Sequence, residues 1–179
     1  EINRRKGKHI ITTAIEHSAV LEPCRQLEKQ GYEVTYLQPD REGNITAAQV
    51  EEALREDTVL VSMMLVNNET GARFDVARVF AAAKARDGRT VTHCDAVQGF
   101  MKVPFTPVGL HADLVTLSAH KIRGPKGVGA LFIKNGTKLS PRVFGGGQEK
   151  DIRPGTEPMP AIAGFGGAVS ELKIKESLT

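Results

Sequence analysis

The segment Ser118-Ala119-His120-Lys121-Ile122-Arg123-Gly124-Pro125-Lys126-Gly127-Val128-Gly129 sets a lysine beside a hydroxyl, an imidazole and several glycines. It follows directly on the apolar stretch Asp113-Leu114-Val115-Thr116-Leu117, which reads as a strand. A lysine amine that is desolvated, or held near a second cation, gives up its proton and condenses with an aldehyde. Lys121 is therefore a candidate for Schiff-base chemistry. Ser118 and His120 carry donors suited to an anion. Gly124, Gly127 and Gly129 read as conformational, letting the backbone turn sharply and approach closely. They do not form a nucleotide loop, because no G-x-x-x-x-G-K-[ST] pattern occurs in the chain.

Three further polar clusters also follow probable strands. Glu16-His17-Ser18 comes after Ile10-Ile11-Thr12-Thr13, and Val66-Asn67-Asn68-Glu69-Thr70-Gly71 comes after the run from Thr58 to Leu65. His93-Cys94-Asp95-Ala96-Val97-Gln98 comes after Thr90-Val91-Thr92. Ligands of open α/β sheets bind beyond the carboxyl ends of the strands, so these clusters should converge on Lys121. His93 and Asp95 are expected on one face and Cys94 on the other, since neighbours along a strand alternate. A zinc site would need a third ligand there, and none is evident. Two cysteines, Cys24 and Cys94, exclude a disulfide framework and a four-thiolate site, and both read as buried, unreactive thiols.

The elements that must position these residues alternate. Val20, Leu21, Cys24 and Leu27 have the spacing of an amphipathic helix over Ser18 to Gln30, with Gly31 as its stop and Pro23 placed in the first turn. Tyr32 to Leu37 alternates as a strand. Thr46-x-x-Gln49 is a capping box opening a helix that runs to Leu54. Asp75 caps a helix through Val76, Val79, Phe80 and Ala83 that the Arg86-Asp87-Gly88 turn closes. Val128 to Lys134 follows the lysine loop too closely for a helical crossover, which makes it an antiparallel neighbour. A last helix near Ala161 to Lys173 is weakened by Gly164, Gly166 and Gly167. The pattern predicts an α/β fold, a mainly parallel sheet with helices on both faces and one antiparallel strand.

Composition is that of a globular domain. The 179 residues are 40% hydrophobic and 25% charged, and form one domain with a sizeable core. No apolar run is long enough to span a bilayer, and the polar start lacks a signal-peptide core, so a cytoplasmic setting without a membrane is expected. A net charge of +3 gives no case for nucleic acid, and the Arg4-Arg5-Lys6-Gly7-Lys8 run reads as a solvated terminus.

Read together, the motifs E-H-S-A-V, V-N-N-E-T-G, D-A-V-Q, S-A-H-K-I-R-G-P-K-G-V-G, and G-G-G-Q-E followed by R-P-G-T-E at Gly145 to Glu157 span nearly the whole chain. In this order they resemble the large-domain core of a cysteine desulfurase, a pyridoxal 5'-phosphate enzyme of the aminotransferase class V type. The resemblance implies a fold type I transferase domain over residues 1–179. The family's N-terminal arm, its upstream phosphate loop and its small domain with the nucleophilic cysteine have no counterpart in this sequence.

By the same resemblance, Lys121 carries the cofactor and His17 stacks on it and transfers protons. An imidazole ordinarily titrates near neutrality and so serves both acid and base steps. Asp95 partners the ring nitrogen, and Gln98 and Asn68 are donors to the phenolic oxygen and the substrate side. Ser118 and His120 bind the phosphate, and Thr156 contributes to the phosphate of the neighbouring subunit of a homodimer, with Arg153 helping to order its loop. The implied reaction takes sulfur from L-cysteine, leaving L-alanine and an enzyme persulfide for a sulfur-acceptor protein of iron-sulfur cluster or thiolation pathways. A selenocysteine lyase, and a non-catalytic remnant or dimerising scaffold, are the alternatives. Because neither cysteine matches the family's nucleophile, the chain alone is expected to be inactive.

Overall fold

The computed structural model describes residues 7–172. Most of the basic run, at Arg4 to Lys6, and the expected end of the last helix at Lys173 lie outside them.

Six strands form one sheet: β1 (His9–Thr13), β2 (Glu33–Leu37), β3 (Thr58–Met64), β4 (Val91–Asp95), β5 (Leu114–Ser118) and β6 (Gly129–Ile133). Their spatial order is β2-β1-β3-β4-β5-β6. Every pairing is parallel except β5 with β6, where Leu114 faces Ile133 and Ser118 faces Gly129. The expected antiparallel strand is thus β6. Four helices complete the domain: α1 (Ser18–Glu28), α2 (Ala47–Ala53), α3 (Val76–Arg86) and α4 (Met159–Glu171).

Adjacent strand residues point to opposite faces, and β1 shows the consequence directly. Ile10 packs with Val59, Tyr32 and Cys24 of α1 in one core cluster. Ile11 packs with Val61, Val50 of α2, and Val79 and Phe80 of α3 in the other. Helices therefore cover both faces.

Caps set the helix limits. Thr46 Oγ1 accepts from the Gln49 N–H while Gln49 Oε1 accepts from the Thr46 N–H at 2.8 Å, the reciprocal box read from the sequence. Asp75 accepts from the Arg78 N–H at 3.2 Å. Pro23 departs from expectation: α1 begins at Ser18 behind a His17 cap, which places the proline in the helix interior. There it withholds the N–H that would bond the Ala19 carbonyl, and the packing of Cys24 against β1 outweighs that loss. Helix α4 also forms in spite of its glycines. At Gly164 a Cβ would lie 2.7 Å from Pro125 Cγ, so this glycine permits close packing on the lysine loop.

Below the sheet, Asp113 ties β5 to α3 and β4. Its side chain is 8% exposed, pairs with the Lys84 ammonium and accepts from the Thr92 N–H at 3.0 Å and the Thr92 hydroxyl at 3.2 Å. Burial alone would push the Asp113 carboxyl up, but Lys84 and the Thr92 hydrogen bonds outweigh it and hold it below the ordinary carboxylate range. Replacing Asp113 by Asn leaves Lys84 half-buried without its anion. The expected loss is about 3 kcal/mol in urea unfolding at neutral pH. Because the folded carboxyl is depressed, its stabilisation is present above the unfolded value and fades as pH falls through the folded one. The gap between the two proteins should therefore close in strong acid, and a constant gap would contradict this account.

Candidate active site

Seven of the eight residues singled out by the sequence emerge from one edge of the sheet. His17 lies four residues beyond β1, Asn68 beyond β3, Asp95 at the last position of β4 with Gln98 after it, and Ser118 at the last position of β5 with His120 and Lys121 after it. All four strands run parallel, so their carboxyl ends coincide. The strand order reverses between β1 and β3, the switch point at which open α/β sheets form a crevice. Thr156 is the exception. It is exposed between β6 and α4 and shares no hydrogen bond with the other seven.

The lysine loop is a short 3-10 turn over Ala119–Ile122, closed by Arg123 in the left-handed region (φ 64°). The Gly124 N–H donates to the Ala119 carbonyl at 2.9 Å. Two of the glycines are needed where they stand. Gly127 has φ +78°, and a Cβ on Gly129 would meet the Leu117 carbonyl oxygen at 2.5 Å. This turn leaves Lys121 exposed with no hydrogen bond or ion pair among the described residues. The Ser118 hydroxyl and His120 Nδ1 are 2.7 Å apart.

Asp95 pairs in register with Met64 on one side and Thr116 on the other. Its Oδ1 accepts from the Val97 N–H at 2.9 Å, which orients the carboxylate. Beneath it on the same face, His93 bonds Ser62 Oγ at 2.8 Å and Thr116 Oγ1 at 3.3 Å, forming a polar ladder across three strands. Burial holds the His93 imidazole below its ordinary value, with the Asp95 charge acting in the opposite direction. Cys94 points the other way, into the core with Phe80 and Val115. The expected division of faces is observed.

His17 is the N-cap of α1, its Nδ1 accepting from the Ala19 N–H at 3.1 Å. That bond fixes Nδ1 as the unprotonated nitrogen and leaves Nε2 outward. Gln98 Oε1 accepts from Lys102 Nζ at 3.0 Å, which frees its amide protons for another acceptor. Lys102 was not singled out by the sequence. Burial lowers its ammonium pKa, and the Lys121 charge lowers it further, so two cations share this edge. The only trace of Lys102 in the sequence is its spacing of four from Gln98.

Glu16 and Asn67, quoted within motifs but given no role, prove to be the buried partners of the exposed pair His17 and Asn68. Asn67 Nδ2 donates to the Ile15 carbonyl at 2.9 Å, and its Oδ1 accepts from the Glu69 and Thr70 N–H groups at 2.9 Å each. Glu16 Oε1 accepts from the Met64 N–H at 2.8 Å and the Thr13 hydroxyl at 2.9 Å. Both thiols are buried and free: burial pushes Cys24 up to about 11 and Cys94 higher still.

With this geometry in hand, the comparisons with known proteins are specific. The family model described as aminotransferase class-V matches residues 2–176. The chain is 49% identical over 165 residues to cysteine desulfurase IscS of Aeromonas salmonicida, covering 91% of this chain and 40% of the relative. It is 49% identical over 171 residues to the protein of that name in Dictyoglomus turgidum, covering 96% and 43%. Among solved structures, SspA in complex with cysteine superposes with a TM-score of 0.91 at 39% identity, covering 99% of this chain and 51% of that one. DndA from Streptomyces lividans gives 0.85 at 45% identity, covering 94% and 48%. The chain thus spans about two-fifths of the length of these curated relatives.

Proposed function

The chain belongs to the aminotransferase class-V family, and from that premise we propose that it is the cofactor-binding large-domain core, residues 1–179, of a pyridoxal 5'-phosphate-dependent cysteine desulfurase. The observation that carries this reading is the gathering of an unpaired lysine, a strand-end carboxylate and an anchored imidazole at one edge of the sheet. L-cysteine as substrate is supported by the IscS relatives and by SspA, whose structure holds cysteine. A cytoplasmic setting belongs to the same proposal. No helix among the described residues is long and apolar enough to cross a membrane.

The donor set fits the cofactor. Lys121 offers a free amine for its aldehyde, and Asp95 keeps one oxygen beyond the Val97 bond for a ring nitrogen. In the Ser118–His120 pair, an Nδ1–H donated to Ser118 Oγ leaves the hydroxyl proton for a phosphate oxygen. When bound, the cofactor supplies an aldehyde for the substrate amine and an electron sink for the adjoining carbon.

The chain's own residues do the rest. Asp95 would hold a proton on the ring nitrogen, and Gln98 would donate its amide protons to the phenolic oxygen, with Asn68 on the substrate side. His17 would help hold the ring, with Nε2 left to hold or move a proton. With substrate bound, the Lys121 amine would be the base that moves a proton at the substrate carbon. Thr156 serves the phosphate of a second copy in a homodimer. Val143, Phe144 and Met159, which flank Thr156 in sequence, are large apolar side chains left exposed, which supports a covered surface in this region. In the whole protein, a cysteine thiolate other than Cys24 and Cys94 would take the sulfur of L-cysteine as its C–S bond breaks, leaving L-alanine, and the resulting persulfide would pass to a sulfur-acceptor protein.

Titration with pyridoxal 5'-phosphate tests the reading. A lysine-bound cofactor absorbance should appear and vanish in Lys121→Ala, and the whole protein should release alanine from cysteine in proportion to bound cofactor. The 179-residue chain by itself should release neither sulfide nor alanine when given cofactor and reductant. Cys24 and Cys94 are buried and held protonated, so neither can present a thiolate to sulfur. Sustained release that disappears in Cys94→Ser or Cys24→Ser would reverse that conclusion.

A further inference from the structure

We infer that Glu16 is a positioning residue for this site: its buried carboxyl clasps the turn that carries His17 to the end of β3, beside Asp95. The inference rests on the proposed cofactor site for its functional meaning, though the clasp itself is a property of the chain.

The crevice of the site opens between β1 and β3. Loops leaving a switch point run in opposite directions, so nothing in the sheet ladder holds them together. The last β1–β3 pairing is Ile11 with Val61, whereas β3 continues to Met64. The Met64 N–H therefore has no strand acceptor from β1, and a buried N–H without a partner is costly. Glu16 Oε1 supplies the acceptor at 2.8 Å and takes a second bond from Thr13 Oγ1 at 2.9 Å. One carboxylate oxygen thus joins the end of β1, the His17 turn and β3. Asn67 ties the same turn from the other loop through the Ile15 carbonyl. Among the described residues the His17 ring bonds only the Ala19 N–H, while the His17 carbonyl accepts from the Val20 and Leu21 N–H groups in the first turn of α1, so the Glu16 clasp fixes the turn by which the chain enters that helix.

The other oxygen, Oε2, is buried without a partner among the described residues, and Glu16 is 5% exposed. An ionised carboxylate left so would be expensive, whereas a protonated one keeps Oε1 as acceptor at little cost. Burial raises the Glu16 carboxyl to about 7 and the Asp95 charge adds to the rise, while the Met64 and Thr13 bonds oppose it. The other ionisable groups that sense Glu16 are Cys94 on β4 and Cys24 on α1, both held as neutral thiols. Below about pH 7, Glu16 therefore holds the turn largely without setting a second negative charge against Asp95. Above it, the Met64 and Thr13 bonds hold the ionised carboxylate, and its charge opposes that of Asp95.

The test compares Glu16→Gln with Glu16→Ala, with and without pyridoxal 5'-phosphate. Gln keeps the acceptor for Met64 and cannot ionise; Ala removes both. Without cofactor, the Met64 amide resonance of the parent should titrate with a midpoint near 7, and that titration should vanish in Glu16→Gln while the amide stays protected from exchange. In Glu16→Ala the protection should fall at least tenfold and the His17 ring signal should move. With cofactor, affinity in Glu16→Gln should stay within about threefold of the parent at pH 7 and lose less on raising the pH. In Glu16→Ala it should fall about tenfold or more. An alanine variant with parental Met64 protection and affinity, or a glutamine variant as impaired as alanine, would overturn the inference. The cofactor-free signals do not depend on Lys121 chemistry. A protein that never binds the cofactor but shows them would refute the proposed function and leave the clasp standing.

Discussion

Reduction with borohydride in the presence of pyridoxal 5'-phosphate is expected to fix the cofactor to Lys121 and to no other lysine. Three observations bear on the choice. Lys121 stands at the carboxyl end of β5, one strand over from Asp95, and it has no bonded partner among the described residues. Lys102, the nearest rival in charge, has its ammonium committed to Gln98 at 3.0 Å. Lys126 lies past the left-handed Arg123 turn, displaced from the strand end. Peptide mapping after reduction should recover the label on the peptide containing Lys121, and Lys121→Ala should abolish covalent attachment entirely. Labelling confined to Lys126 would mean that the turn presents the wrong amine.

Asp95→Asn should leave cofactor content nearly intact while slowing turnover of the whole protein by about 10²-fold or more, the scale on which losing a preorganised electrostatic partner acts. The substitution is close to isosteric and keeps an acceptor for the Val97 N–H, so the turn after β4 should survive. What it removes is the negative charge proposed to hold a proton on the ring nitrogen. His93, Ser62 and Thr116 lie under Asp95 as a neutral hydrogen-bonded ladder and offer no replacement anion. Glu16, the other carboxyl nearby, has its acceptor oxygen committed to Met64 and Thr13. Parent-like turnover in Asp95→Asn, with normal cofactor content, would remove the aspartate from the chemistry.

Much of this was legible in the chain because it depends on local rules. The division of faces along β4, the Thr46–Gln49 box, the Asp75 cap and the antiparallel sense of β6 each follow from periodicity, local spacing or the length of a connection, and each is observed. The aminotransferase class-V motifs announced the family for a similar reason. A turn that must expose a lysine while letting a backbone approach to van der Waals contact leaves few residue choices, so its glycines persist as a readable string.

Other features required the folded chain. Pro23 sits in the interior of α1 because the His17 cap and the Cys24 contact fix where that helix begins, and sequence carries no measure of that competition. Lys102 feels the charge of Lys121 from a different loop, a proximity that neither segment announces by itself. Glu16 is the clearest case. From sequence it is an ordinary acidic residue beside a histidine. Only the uneven ends of β1 and β3 leave a buried N–H that needs an acceptor, and only the burial of the second oxygen makes the charge of that acceptor matter. Residue type determined which groups could do chemistry; strand ends, crossing loops and burial, which arise between segments far apart in the chain, decided which of them are held in place and in what ionisation state.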